Sequence, residues 1–134
     1  MALLRGFRSR RSQRGSAIAD FALVSVVLVP LFFGVLQLAL IWHVKSTLTS
    51  AASQGARYGA TYQRSPWEGA ERTRAVIGQT FKAGVDDTVS AHSTSVRGQP
   101  GLVVEVRAEV PMLAFWGPTI TVEVDGHAIK ETLP

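Results

Sequence analysis

The sequence is organised around an apolar stretch at residues 21–42, FALVSVVLVPLFFGVLQLALIW. These 22 residues carry no formal charge, and their only strongly polar side chain is Gln37. As an α-helix the stretch would be about 33 Å long, which is enough to cross a hydrocarbon core of about 30 Å. A buried helix of a soluble protein is the alternative, but the remaining sequence is too short and too polar to enclose one this long. We therefore expect a transmembrane helix.

The charges near the apolar stretch predict its orientation. Residues 1–14 contain five of the 14 basic residues and none of the ten acidic ones. An excess of arginine on one side of a first apolar segment predicts that this side stays in the cytoplasm. We therefore expect a disordered cationic leader (residues 1–14) inside the cytoplasm, and everything beyond about residue 43 outside it. The chain would cross the membrane once.

The distribution of charge also excludes a class of partner. Nine basic and ten acidic residues remain from residue 15 onward, so the net charge of +4 belongs to the leader. A nucleic-acid-binding face requires basic residues on the folded domain. We expect no nucleic-acid partner.

A cleaved secretory signal peptide is a second interpretation of the basic front and the apolar run. Such a peptide has an apolar core of about 7–15 residues followed by a small-residue cleavage site. Here the apolar run is longer, and the residues that follow it have a helical composition. Ala51 and Ala52 could nevertheless serve as a cleavage site.

Several residues of the transmembrane helix predict specific features. Pro30 cannot donate a backbone hydrogen bond, so we expect a kink there. Ser25, Gly34 and Gln37 suggest a face that meets another helix within lipid. Trp42 and Lys45 would anchor the outer end at the headgroups. Beyond the membrane, a stripe of small and apolar residues continues the helical period to about residue 62, forming a stalk. The stripe consists of Val44, Leu48, Ala51, Ala52, Gly55, Ala56 and Gly59.

A second helix begins after Ser65. Ser65, Pro66 and Glu68 form a capping box with proline at the first helical position. We expect the helix to run from Pro66 to about Ala83 and to stop at Gly84. Its packing face would carry Trp67, Ala70, Ile77 and Phe81.

The C-terminal third alternates apolar and polar residues, which is typical of strands. Residues 102–110 and 119–125 are the clear candidates, and residues 88–96 are a weaker one. Residues 97–101 (RGQPG) predict a turn. In the loop before residue 119, Trp116 would cover the core or, less simply, bind a partner. We predict an α+β fold: a leader (1–15), a transmembrane helix with an extracytoplasmic stalk (16–62), and a small domain (63–134) with a three-stranded antiparallel sheet.

Two segments resemble a known family. Residues 14–24 (RGSAIADFALV) and residues 49–60 (TSAASQGARYGA) are similar to the cleavage region and helix signature of TadE-like minor pseudopilins from Flp/Tad pilus systems. The second segment resembles the small-residue helix of the family, which includes Ala52 and ends in a Gly-Ala-Arg-aromatic signature at Gly55, Ala56, Arg57 and Tyr58. The resemblance covers about residues 14–62 and is only architectural beyond them.

The resemblance implies processing and assembly. A prepilin peptidase would cut after Gly15 and leave Ser16 as the new N-terminus. Asp20, ahead of Phe21, would then be the fifth residue, where the family usually has glutamate, and would pair with the terminal amine of a neighbouring subunit. A lone carboxylate at the edge of an apolar helix is costly unless it is neutralised. The implied partners are the peptidase, other TadE-like subunits, the major pilin and the inner-membrane platform.

Simpler interpretations of these residues remain open. Asp20 could be a helix N-terminal residue at the membrane surface without a partner. Arg57 could be a solvated cation or could pair with an acid of the C-terminal domain. The whole chain could also be a signal-anchored extracytoplasmic binding domain unrelated to pili.

The sequence offers no evidence for catalysis. Cysteine is absent, and the three histidines (His43, His92 and His127) fall at the membrane edge, in a candidate strand and in a predicted turn, without metal-ligand spacing. No GxSxG motif or phosphate-binding glycine loop is present. We therefore expect no enzyme activity, cofactor or small-molecule substrate, and a secreted hydrolase is the weakest of the rival interpretations.

Overall fold

The computed structural model describes residues 9–81, 86–113 and 118–133. Two helices precede three strands: α1 (Ser9–Ala60), α2 (Pro66–Thr80), β1 (Asp86–Val96), β2 (Gln99–Val110) and β3 (Ile120–Ile129). The strands form one antiparallel sheet in the order β1-β2-β3. The predicted α+β fold is confirmed, with its long N-terminal apolar helix, short second helix and three-stranded sheet.

The chain divides into two compact units, residues 1–36 and residues 37–134. In the first unit the structure describes helix from Ser9 onward. The large apolar side chains between Ile18 and Leu36 are 44–75% exposed, so this part of α1 has an apolar surface that its own chain does not cover. The helix continues through Pro30, and the kink at that residue stays a prediction.

The leader is less irregular than expected. The sequence predicts disorder through residue 14, whereas α1 already begins at Ser9. Arginine and glutamine are good helix formers, and extending an existing helix by almost two turns avoids the cost of nucleating a new one.

The core of the second unit lies between one face of the sheet and the two helices. It unites the C-terminal part of α1 with α2 and with the inward positions of all three strands. The stripe predicted from the sequence supplies the α1 share, since every residue in it is buried. The buried apolar side chains are Val44, Leu48, Ala51, Ala52, Ala56 and Ala60 of α1, Ala70 and Ile77 of α2, Val89 of β1, Leu102, Val104, Val106, Ala108 and Val110 of β2, and Val122 and Val124 of β3.

The turn between β1 and β2 is tighter than predicted. Val96 pairs with Gln99, so only two residues, Arg97 and Gly98, form the turn. Their φ angles are 51° and 80°, as a type I′ hairpin requires. The predicted turn through Gly101 is therefore too long, because residues 99–101 already belong to β2.

Strand β3 is longer than predicted. The expected end at Asp125 is wrong, because pairing with β2 continues through Gly126, His127 and Ala128 as far as Ile129. His127 therefore lies in a strand and not in a turn. The weaker candidate at residues 88–96 is confirmed as β1, which begins two residues earlier, at Asp86.

The capping box predicted at the start of α2 is confirmed. The Ser65 hydroxyl accepts a hydrogen bond from the Glu68 backbone N–H, and the Glu68 carboxylate accepts one from the Ser65 N–H at 2.8 Å. The helix ends at Thr80, earlier than the expected Ala83, and Phe81 caps it by donating to the Ile77 carbonyl. Ala83 and Gly84, like Phe115 and Trp116 of the later loop, lie outside the described residues.

One predicted packing residue of α2 is misplaced. Trp67 is 67% exposed, whereas Gly69, Ala70, Thr73 and Ile77 are buried. Two residues correspond to about 200° around a helix. Once Gly69 faces α1, Trp67 therefore points away from it.

Candidate functional site

The predicted processing region lies on the exposed start of α1. Gly15, Ser16 and Asp20 are all exposed and helical. A Cβ built on Gly15 would meet nothing within 4 Å, so the described chain leaves this bond accessible. A peptidase that reads an extended backbone would have to open this turn. Glycine favours opening, because it destabilises a helix by about 0.5–1 kcal/mol relative to alanine.

Asp20 lacks a partner of its own chain among the residues that the structure describes. None of the four ion pairs found there includes it. Its carboxylate stands directly before Phe21, at the start of the exposed apolar surface. A carboxylate in this position is free to pair with a cation of another molecule, or to remain solvated at the membrane surface.

The structure separates Gly34 from Gln37, two of the three residues expected to share a helix-packing face. Gly34 is exposed, and a Cβ there would meet nothing within 4 Å. Gln37, by contrast, is only 9% exposed, and its Oε1 accepts a hydrogen bond from the Leu113 backbone N–H at 2.7 Å. Gln37 therefore serves the internal packing of the second unit, whereas Gly34 and the neighbouring Pro30 remain open.

The small residues of the family signature pack α1 against α2. A Cβ on Gly55 would overlap the Thr73 side chain and lie 2.6 Å from the Gly69 carbonyl oxygen. A Cβ on Gly59 would lie 3.0 Å from the Gly69 Cα. The two helix backbones therefore touch at three glycines, and Ala52 and Ala56 are fully buried beside them.

Strand β3 contacts the same part of α1. A Cβ on Gly126 would lie 2.5 Å from the Ala52 carbonyl carbon and 2.5 Å from the Ser53 nitrogen. Only glycine allows the strand to approach this closely. Sequence reasoning missed both Gly126 and Thr73, although a glycine inside an alternating strand pattern signals a close backbone approach.

The other half of the signature faces outward. Arg57 and Tyr58 are exposed. The ion pairs found among the described residues do not include Arg57, so of its two simpler interpretations the solvated cation fits this part of the chain and the pair with a C-terminal acid does not. The guanidinium of Arg64 lies 4.6 Å from the centre of the Tyr58 ring. Arg57 and Tyr58 line one shallow groove together with Arg72, Ile129 and Glu131.

The N-terminal end of α2, from Arg64 to Glu68, holds the clearest electrostatic effect. Arg64 donates to Glu68 Oε1 at 2.8 Å. This hydrogen bond, followed by the one from the Ser65 backbone, holds the pKa of Glu68 below its usual value. The ionised form of Glu68 therefore supports the start of α2.

The open face of the sheet is polar and carries two ion pairs on β2 and β3. His127 Nδ1 lies 3.0 Å from Asp125 Oδ2, and Arg107 pairs with Glu123. Ser90 pairs with Glu105, which pairs with Asp125. At about 4.8 Å per strand, Ser90 is about 10 Å from the Asp125 backbone. Within residues 9–81, 86–113 and 118–133 no group of three potential metal ligands occurs.

The alternative signal-peptide cleavage conflicts with the packing of α1. Ala51 and Ala52 are helical and fully buried. A cut between them would remove Val44 and Leu48 from the core. Close packing of α1 in the core therefore explains why residues 51 and 52 are small, without a cleavage site.

The comparison with known families matches the N-terminal part of the chain. Residues 15–57, 43 of the 134 residues, match the family model of the TadE-like proteins. No curated protein and no solved structure matches the chain significantly. The described part of the chain also has one helix long and apolar enough to cross a membrane. The chain therefore carries a TadE-like domain at residues 15–57, which indicates a membrane-anchored component associated with a Tad pilus.

Proposed function

We propose that this protein is a minor pseudopilin of the TadE-like type. It would be a structural subunit, anchored in the bacterial cytoplasmic membrane, that helps to assemble a Flp/Tad-type pilus or a related secretion apparatus. The observation that carries the proposal is the family match, which begins at Gly15 and ends at Arg57. It therefore includes the proposed cleavage site, the apolar helix and most of the helix signature.

The exposed part of α1 supports a role in lateral assembly. Its apolar side chains from Ile18 to Leu36 are not covered by the described chain, so lipid or neighbouring helices must cover them. Asp20 then offers its carboxylate to the amine of Ser16 in a neighbouring processed subunit. Gly34 gives a neighbouring helix room for close approach.

The partners follow from this assignment. A prepilin peptidase would process the Gly15–Ser16 bond. Other TadE-like subunits, the major pilin and the inner-membrane platform would receive the mature helix. The N-terminus would lie in the cytoplasm and the sheet domain outside it, as the arginines of the leader predict.

The exposed end of the signature suggests a second contact. Ala52, Gly55 and Ala56 are occupied within this chain, whereas Arg57 and Tyr58 are not buried. The signature therefore divides into a packing half and a surface half. We assign the surface half to contacts with another subunit, where an arginine beside an aromatic ring is a common anchor.

The alternative is a signal-anchored binding domain that has no connection with pili. Replacement of the small residues at 51–59 cannot separate the two functions, because these residues form the core and either protein would unfold. Gly15 and Asp20 do separate them, since both are exposed. We assign no catalytic role in either case.

The decisive experiment is intact-mass analysis of the membrane-extracted protein from cells with and without the prepilin peptidase. We expect a peptidase-dependent chain that begins at Ser16. Asp20→Glu should be processed at least as well, because it restores the residue usual in the family. Asp20→Ala, which removes the carboxylate, tests whether the acid is needed for assembly after cleavage.

Two outcomes would contradict the proposal. An uncut chain in the presence of an active peptidase would favour the signal-anchored binding domain. A chain that begins near residue 53 would show a secreted protein. The matched control is Gly78→Ala, which changes an exposed glycine far along the chain and should be processed normally.

A further inference from the structure

The exposure of α1 changes abruptly at Gln37. From Ile18 to Leu36 the large apolar side chains are exposed on all sides of the helix. From Gln37 onward one side is covered, beginning with Gln37 itself and continuing through Val44 and Leu48. The uncovered segment has 19 residues and is about 28 Å long, close to the 30 Å of a hydrocarbon core.

A loop of the second unit reaches α1 at this same level. Strand β2 ends at Val110, and three residues later the Leu113 backbone N–H donates to Gln37 Oε1 at 2.7 Å. Met112 is half-buried and Leu113 is 39% exposed, so the loop presents apolar side chains beside the helix. Gln37 and Leu113 are thus at one height along α1.

This contact limits the depth of the membrane. If the hydrocarbon extended to Trp42, as the sequence predicts, Gln37 and Leu113 would lie about 7–8 Å inside it. Irregular backbone facing lipid is strongly disfavoured there, because hydrocarbon cannot satisfy its polar groups.

We propose that the outer hydrocarbon boundary lies at Leu36–Gln37 and that Met112 and Leu113 rest in the headgroup region of the outer leaflet. The partner of this surface is therefore lipid. The inference rests on the membrane anchoring proposed above, and it moves the span toward the N-terminus by more than one helical turn. Trp42 then stands on the water side of the boundary, within the thickness of the headgroups.

The absence of cysteine from the sequence makes the depth directly measurable. Single cysteines at Val35, Leu38, Trp42, Pro111 and Leu113 would carry nitroxide labels in phosphatidylcholine–phosphatidylglycerol vesicles. Gln54→Cys, at an exposed position of the same helix, is the matched control for a label in water. Collision rates with oxygen and with a charged nickel chelate give the depth of each label.

We expect the Val35 label to collide with nickel about tenfold less often than the Gln54 label, because hydrocarbon excludes charged solutes. Labels at Leu38 and Leu113 should agree with each other at an intermediate depth, and Trp42 should lie nearer to Gln54. Pro111→Cys repeats the loop measurement if Leu113→Cys fails to fold, which thermal unfolding would reveal.

Two results would overturn the inference. Hydrocarbon depth at both Leu38 and Trp42 would restore the span predicted from the sequence. Nickel accessibility at Leu113 equal to that at Gln54 would place the loop in water. Release of the protein by alkaline carbonate would instead contradict the membrane anchor, and a failure of cleavage at Gly15 would contradict the pilin function without altering any label depth.

Discussion

Glycine has two different roles in this chain, and the space around each residue distinguishes them. Gly55, Gly59, Gly69 and Gly126 lie where backbones touch, so a methyl group has no room. Gly34, like the glycines at 15 and 78, has open space in its place. The first group holds the fold together, whereas replacements in the second group test contacts with other molecules.

A matched pair in α2 tests this distinction. Gly69→Ala should lower the free energy of unfolding by about 1–3 kcal/mol, because its Cβ would lie 2.8 Å from the Gly55 carbonyl oxygen and overpack the helix crossing. Gly78→Ala should raise it by about 0.5–1 kcal/mol, because alanine has the higher helix propensity. Denaturant unfolding in detergent micelles measures both values. Equal effects of the two substitutions would refute the close crossing.

Individual residues also show where sequence reasoning ends. The positions of Asp20 and Phe21 on an exposed helix follow from local pattern alone, whereas the sequence places Gly15 in the leader and the structure places it within α1. The hydrogen bond between Gln37 and Leu113 joins residues 76 positions apart, and no local pattern encodes it. The sequence therefore suggested that Gln37 contacts another helix, whereas in the structure it binds the Leu113 backbone of the same chain.

At the scale of elements, the start of α2 is the best specified part of the fold. The capping box satisfies two backbone groups that a helix end would otherwise leave free. Ser65→Ala should lower the free energy of unfolding by about 1 kcal/mol, measured by thermal or denaturant unfolding. Ser65→Asp, which keeps an acceptor at the cap, is the control and should retain most of the stability. No loss with alanine would mean that packing alone fixes this helix end.

The same cap makes the second unit sensitive to acid. The pKa of Glu68 is lowered in the folded state by hydrogen bonds from Arg64 and Ser65. A carboxyl group with a lowered pKa contributes stability above its unfolded value of about 4.3, and this contribution is lost as the pH falls through the folded value. We therefore expect the melting temperature to decrease as the pH is lowered below about 4.3.

Glu68→Gln separates this contribution from general acid denaturation. The amide keeps an acceptor for the cap but does not titrate, so its melting temperature should depend less on pH than that of the parent chain. The glutamine variant should also be the less stable of the two at neutral pH, where Glu68 is ionised. Parallel pH profiles of the two proteins would contradict a role for the ionised carboxylate.

The strands show where the alternation of apolar and polar residues predicts structure and where it fails. Alternation predicts β2 well, because Leu102, Val104 and Val106 face the core while Glu105 and Arg107 face solvent. It fails at the end of β3, where Gly126 contacts α1 and interrupts the apolar pattern. Glycine has no apolar side chain to continue the alternating pattern. The predicted strand therefore ends at Asp125, one residue before Gly126, which makes the contact with α1.

At the scale of the whole molecule, the exposed helix should matter for assembly and not for folding. Gly34→Leu should reduce the number of pili several-fold, because added bulk hinders close helix approach in lipid. The melting temperature of the second unit should not change, since a Cβ at this position meets nothing within 4 Å. Filament counts by electron microscopy and thermal unfolding measure the two effects.

Val29→Leu is the matched control for this substitution. It also adds bulk to the exposed part of α1, but at a position about 140° away around the helix. We expect normal pilus numbers from Val29→Leu. If both variants reduced the number of pili equally, added bulk anywhere on the exposed part of α1 would hinder assembly, and Gly34 would have no special role.

The architecture as a whole could be predicted because its strongest signals are local. An apolar run, a capping box and alternating strands each specify one element from a few adjacent residues. What the sequence could not reveal is how α1 enters the core, because small residues in a stripe are compatible with contacts to another subunit as well as to α2 and β3. The glycine contacts of Gly55, Gly69 and Gly126 decide this question only in three dimensions.

The contact of Gly126 with Ala52 and Ser53 also has a consequence for how the chain folds while it is being synthesised. Residues 44–60 are synthesised early and leave the ribosome attached to the membrane anchor, while the strand that covers them arrives more than sixty residues later. In the topology that we propose, β3 must cross the membrane before Val44, Leu48 and Ala52 are completely covered. Export would then have to finish before folding could, and a subunit whose translocation stalls would remain open and recognisable to quality-control proteases.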